Sequence, residues 1–269
     1  MRLLGKILLI GVMFCPAFSM TWAGGTSSLF DKPLHETHTP LPPDTRNPHA
    51  KPMLSCFYYP HFMVKQVDLG EKGAEQLSIL PVVKDHAEPP CKRDNAKDEK
   101  VIDPKTWSGY FEGAKGDFVF FVADDGLNGG LGFAVYSGTD GAKLFDDVAK
   151  SDERAIRFSN LAEQTDPESN SGTVLQLRYQ RVFPAKCSLR TDEKDCWKSV
   201  QQIIGLTDSA PPNCAAAYEA EKKRTPQFAD NVDSYESVIA YEVEVELNSR
   251  GTTLRAIPTS KAMECYLGD

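Results

Sequence analysis

The chain has 269 residues, with 30 basic and 38 acidic side chains and a formal charge of −8. That balance repels phosphate, so nucleic-acid binding, which rests on lysine and arginine neutralising a phosphate backbone, is not expected, and anionic membrane surfaces are disfavoured for the same reason. Seven cysteines make redox compartment the next question.

Arg2 and Lys6 form a positive amino-terminal region, Ile7 to Phe14 an apolar run, and Thr21-Trp22-Ala23 ends in a small residue suited to signal peptidase. This predicts a bacterial-type signal peptide over 1–23, with cleavage after Ala23. The apolar run is far shorter than the roughly 20 residues of a permanent membrane helix, and no later segment replaces it. A soluble, exported chain without an integral membrane segment is therefore expected, periplasmic or secreted. Cys15 follows Val12-Met13-Phe14, which lacks the small residues of a lipid-attachment site, so lipidation is not expected. Without residues 1–23 the chain keeps 28 basic and 38 acidic residues, a charge of −10.

Six cysteines remain: Cys56, Cys91, Cys187, Cys196, Cys214 and Cys265. An even number in an exported chain reads as a disulfide framework, and none forms a C-x-x-C redox or zinc pair. Spacing alone leaves the pairing open; the sequential one is expected, Cys56 with Cys91, Cys187 with Cys196, and Cys214 with Cys265. Each bridge contributes about 2 to 4 kcal/mol by restricting the unfolded chain.

Residues 24–54 hold Gly24, Gly25, Pro33, Pro40, Pro42, Pro43, Pro48 and Pro52 without apolar periodicity, which predicts a disordered or extended leader. A single β-rich domain is expected over 55–269. Phe57 to Val67 reads as a first strand, paired through a turn at Gly70 to Gly73 with Gln76 to Val83. Lys84 to Lys100 reads as a loop. Trp107 to Phe145 predicts an antiparallel meander, in which the continuous apolar run of Phe118 to Val122 marks a strand buried on both faces. Asp146 to Ser171 carries no clear signal, and Thr173 to Phe183 regains strand character. Asp192 as N-cap, followed by Cys196, Trp197, Val200, Ile203 and Ile204 on one face and Gly205 at the end, predicts a helix. A second is expected over Asn213 to Arg224, with basic residues at the negative end of its dipole and Pro226 beyond it. In Ser237 to Leu247, Val243, Val245 and Leu247 alternate with Glu242, Glu244 and Glu246, a strand with one wet face. A turn at Asn248 to Gly251 and a strand over Thr252 to Ile257 should follow, with Cys265 tying down the tail. The fold expected is mainly β, an antiparallel sandwich or barrel-like body with two short helices near 192–224, stapled by disulfides.

The segment Asp124 to Gly130 offers the best candidate chemistry, because Asp124, Asp125 and Asn128 with three glycines present oxygen ligands suited to calcium. It lacks the further acidic positions of an EF-hand, and the same residues also suit a tight hairpin turn. Asp146 and Asp147 are further carboxylates that a folded-back meander could bring near. His35, His38 and His49 fall in the leader and read as solvated, His61 as a hydrogen-bonded strand residue, and His86 as a loop residue. No G-x-S-x-G elbow, S-x-x-K set or phosphate-binding loop occurs. The aromatic groups at Tyr58-Tyr59, Trp107 to Phe111 and Phe118 to Phe121 read as core packing, and Trp197 as a core residue. A non-catalytic binding or envelope-associated protein, with a protein or glycan partner and no cofactor, is the leading expectation. A secreted hydrolase using carboxylates near Asp124 to Gly130 is the alternative from another class, and a calcium-stabilised adhesion module a third.

Overall fold

The computed structural model describes residues 30–43, 45, 47–82, 87–151, 156–164, 172–206, 210–248, 257–258 and 263–268. The expected signal peptide, Cys15, residues 24–29, His86 and most of the strand expected over 252–257 lie outside them.

Five strands form the first sheet: β1 (His35–Pro40), β2 (Met53–Tyr58), β3 (Phe62–Asp68), β4 (Gln76–Pro81) and β5 (Lys100–Val101), antiparallel and in chain order. The single strand expected over Phe57 to Val67 is in fact the end of β2 and most of β3. Pro60 divides them, because it has no N–H for a ladder, and the turn is closed by Tyr59 N–H donating to Phe62 O at 2.8 Å. The expected hairpin of β3 with β4 is present.

The leader, expected to be disordered or extended, is extended strand over His35–Pro40. β1 pairs with β2 over six residue pairs, and upstream the Phe30 ring packs on Phe120 and Phe158 at 5.3 and 5.2 Å. Asp31 accepts hydrogen bonds from Lys115 Nζ (2.6 Å) and Gly116 N–H (2.7 Å), and its own N–H donates to Ala114 O. A Cβ on Gly113 would collide with the Phe30 ring, so the glycine is the notch that admits it. The leader's low apolar content suits an edge strand, which buries little, and a polar, proline-ended edge is how sheets avoid pairing with other chains.

The second sheet holds β6 (Tyr110–Lys115), β7 (Phe118–Leu127), β8 (Gly130–Ser137), β9 (Lys143–Lys150), β10 (Ile156–Gln164), β11 (Gly172–Pro184), β12 (Ser237–Asn248), β13 (Ile257–Pro258) and β14 (Glu264–Leu267). The meander β6-β7-β8-β9 continues through β11 to β12 and β13, while β10 pairs with β11 and β14 with β12. β9 and β10 occupy much of the segment that carried no clear signal. In β7, Phe118 and Phe120 enter one core cluster and Val119 and Phe121 another, as expected of a strand buried on both faces. Phe120 also meets Phe158 of β10 at 5.4 Å, although β7 and β10 are not neighbours, so this sheet curls over its own core. Among the described residues it does not close into a barrel.

Three apolar layers result. Phe62, Val64 and Ile79 of the first sheet pack on Val119, Phe121 and Tyr136 of the second. The outer face of the first sheet, Leu54, Cys56, Tyr58, Met63, Val67 and Leu80, packs against Leu41, Leu69 and Cys91. The curled core receives α1 (Glu193–Ile204) and α2 (Ala215–Arg224), followed by a 3-10 turn (Pro226–Phe228) and α3 (Ala229–Val232). Asp192 and Gly205 occupy the N-cap and C-cap positions of α1 as the pattern predicts, although the Asp192 side chain makes no capping hydrogen bond; Trp197, Val200 and Ile204 are buried, while Ile203, expected on the same face, is exposed. For α2 the cap is Cys214 rather than Asn213, whose side chain instead accepts from Ala215 N–H at 3.1 Å. On β12 the odd positions from Ile239 to Leu247 are core while Glu246 is exposed, the alternation read from sequence.

All three bridges follow the sequential pairing: Cys56–Cys91, Cys187–Cys196 and Cys214–Cys265, with Cα separations of 5.9, 5.8 and 5.1 Å that a disulfide spans. The first ties the connection after β4 to β2, the second ties α1 to the end of β11, and the third ties β14 to the start of α2. No helix among the described residues is long and apolar enough to cross a membrane.

Candidate functional site

The segment Asp124 to Gly130 is largely strand. β7 continues to Leu127, with a bulge between Val122 and Gly126, and only Asn128 and Gly129 form the turn to β8. Both have left-handed backbone angles, φ 55° and 68°, as a two-residue type I′ hairpin requires. Asp124 lies beside Gly73, exposed Asp125 binds Lys72 Nζ at 2.8 Å, and the Asn128 side chain sits so close to Gly268 that a Cβ there would collide with it. No cluster of three or more His, Cys, Asp or Glu side chains suited to a metal occurs among the described residues. Asp146 pairs with Lys143 at 3.0 Å.

Asp147 faces the opposite way, into the curled core. Its carboxylate accepts from Arg181 Nε and Val148 N–H, both at 2.9 Å, and from the Tyr179 hydroxyl at 2.5 Å, while Arg181 Nη1 reaches Tyr241 OH at 3.4 Å. Burial, and then the adjacent Asp147 charge, pushes the Tyr179 hydroxyl far above its ordinary pKa, so it stays a neutral donor. Burial opposes the charge on Arg181, but Asp147 and the two tyrosines more than offset that and hold the guanidinium protonated. The group is an ion pair braced by two tyrosine hydroxyls.

The most enclosed charges lie under the connection between β4 and β5. Lys65 is flanked along β3 by Met63 and Val67 and so faces the outer core with them. Its Nζ meets Glu99 Oε1 at 2.6 Å, both side chains being 1% exposed, and donates to the carbonyls of Lys92, Arg93 and Asp94 at 3.2 to 3.5 Å. Glu99 also accepts from Ser78 Oγ (2.5 Å), Gln76 Nε2 (3.0 Å) and Ala96 N–H (2.8 Å). Burial raises the Glu99 pKa, but the bonds from Lys65, Ser78 and Ala96 outweigh it and hold the carboxyl below its ordinary value. With Cys56–Cys91 and the Tyr58 hydroxyl bonded to Pro89 O at 3.0 Å, this pair fastens a loop without regular structure onto the sheet. The sequence signal was available: a lysine in phase with buried residues, and a cysteine loop long enough to return over it.

The histidines take different places from those expected. His35 stacks on Tyr58 at 4.1 Å and lies 3.4 Å from Glu88, and His38 bridges Ser55 Oγ and Glu36 at 3.0 and 3.2 Å. Both are exposed, as expected, but β1 rather than a free tail carries them. His61 is in the β2-β3 turn rather than a strand, 3.1 Å from Asp117. His49 is exposed.

The covering helices are locked by neutral groups. The Tyr218 hydroxyl, fully buried, donates to Tyr235 O at 2.7 Å and meets Ser188 Oγ and Ser237 Oγ at 2.9 Å, while Ser237 Oγ accepts from Leu189 N–H. Beside this knot lies an open groove of about 470 Å³, lined by Phe183, Lys186, Cys187, Asp195, Cys196 and Ile203 among others. Trp197, expected in the core, is buried there on α1. Compared with known proteins, the chain matches no family model, no curated protein and no solved structure.

Proposed function

We propose that the chain is exported, oxidised into its three bridges outside the cytoplasm, and acts in the periplasm or beyond the cell as a non-catalytic binding protein. The pairing of all six cysteines downstream of residue 23 carries this reading, since structural disulfides persist in oxidising compartments and are rare where thiols are kept reduced. The use of the enclosed charges supports the non-catalytic half: Lys65, Glu99, Asp147 and Arg181 are occupied by one another and by structural donors and acceptors. A general acid or base needs a group left available to substrate.

Two measurements test it on the full chain. Fractionation of bacterial cells expressing it should release the protein with the periplasm or medium, cut after Ala23. Retention in the cytoplasm with residues 1–23 attached contradicts export. The purified mature protein should hold an envelope protein or glycan saturably and leave a panel of polysaccharides and peptides intact. Turnover that disappears in Asp124→Asn or Asp125→Asn would establish the hydrolase instead.

A further inference from the structure

We infer that Cys187–Cys196 is an exchange-active disulfide, opened and closed by a dithiol reductant while the other two bridges remain structural. Its setting differs from theirs in access and in what depends on it.

Access comes from the groove, which both cysteines line. Each of the other bridges also pairs a buried cysteine with a half-buried one, Cys56 with Cys91 and Cys214 with Cys265, but neither has both cysteines on a described groove: the second, about 320 Å³, touches Cys214 without including Cys265. Of the exchange pair, Cys196 is 3% exposed and Cys187 is half-buried, so the Cys187 sulfur is the one an incoming thiolate reaches. Exposed Lys186, beside it in the chain, attracts that anion, while Asp192 and Asp195 line the groove around Cys196.

Dependence is low because both sides of the bridge are held without it. Cys187 O accepts from Ser237 N–H at 2.9 Å and Ala185 N–H donates to Ser237 O at 2.8 Å, which fixes the chain entering the bridge. Beyond it, Asp192 N–H donates to Ser188 O at 3.1 Å and Cys196 N–H to Asp192 O at 3.0 Å, while Trp197, Val200 and Ile204 anchor α1 in the core. The bridge closes a sequence separation of nine, against 35 and 51 for the others, so it restricts the unfolded chain least.

The exchange balances as two displacements. A thiolate of the reductant bonds to Cys187 Sγ as the Cys187–Cys196 bond breaks; the electron pair leaves on Cys196 Sγ, which takes a proton from water. The reductant's second thiolate then attacks its own sulfur in the mixed disulfide and expels Cys187 as thiolate. Two electrons pass from the dithiol to the bridge, and the reductant leaves as a disulfide.

The test treats the folded, fully oxidised mature protein with graded dithiothreitol, blocks free thiols with N-ethylmaleimide and maps the labelled peptides. Cys187 and Cys196 are expected to label on the order of tenfold faster than the other four cysteines, with circular dichroism unchanged when their labelling is complete. Equal labelling of all six, earlier opening of either other bridge, or labelling that coincides with unfolding overturns the inference.

Discussion

Both sheets carry a cover clipped on by disulfides, but the polar chemistry beneath the two covers is opposite. Over the first sheet, an irregular loop is held by a buried ion pair, Lys65–Glu99, and one bridge. Over the second, regular helices are held by the buried neutral Tyr218-Ser188-Ser237 knot and two bridges, with charges paired only at their partly exposed edge, as in Lys222–Asp233. A loop without a helical ladder must find partners for its carbonyls, and Lys65 supplies them for residues 92 to 94. Helices satisfy their own backbone, so hydroxyls suffice to orient them. The first cover should therefore be more sensitive to charge and pH than the second, whose ion pairs, such as Lys222–Asp233 and Arg190–Glu219, are partly exposed.

Removing one buried charge should have the largest effect. Lys65→Met leaves Glu99 enclosed without its counter-ion and is expected to cost about 3 to 5 kcal/mol in urea unfolding. Adding Glu99→Leu should recover much of that loss, and simple additivity of the two would break the comparison. Replacing Cys56 and Cys91 by alanine should cost about 2 to 4 kcal/mol, and more than the same change at Cys187 and Cys196, since the longer loop gains more freedom in the entropic account. Thermal unfolding of the two double variants compares them. In the neutral knot, Tyr218→Phe removes one donor, leaves the serine hydroxyls short of a partner and should cost about 1 to 3 kcal/mol by the same assay.

Acid separates the covers further. Glu99 binds its proton more weakly folded than unfolded, so its contribution is present above the unfolded value of about 4.3 and is lost as pH falls through the lower folded value. The urea midpoint of the parent chain should therefore fall in that window, with a flatter acid limb in Glu99→Gln and an unaltered one in Tyr218→Phe. The smallest effect belongs to the exposed Lys72–Asp125 pair, 75% and 64% exposed. Asp125→Ala should leave the melting temperature unchanged, as surface pairs commonly do.

The contrast also explains what could be read from sequence. Periodicity located α1 with both caps, the doubly buried run at Phe118 to Phe121, and the wet face of β12, because in each the side-chain pattern and backbone preference agree. It failed where tertiary contacts decide: β1 exists because β2 offers an edge, β9 and β10 because the sheet curls, and Lys65 is buried because a distant loop returns over it. The cysteine pairing was not legible from spacing, and the sequential set that was expected is the one the structure forms. The groove beside α1 had no local signature, since its lining comes from the end of β11 and from a helix face that local pattern read only as core.

The account rests on where the six sulfurs go. Peptide mapping under non-reducing conditions, on full chain recovered from the compartment it reaches, tests that most directly. It should yield three cross-linked species, joining Cys56 to Cys91, Cys187 to Cys196 and Cys214 to Cys265, with Cys187–Cys196 alone recovered partly open. Other partners, or free thiols at Cys56, Cys91, Cys214 and Cys265, would contradict it.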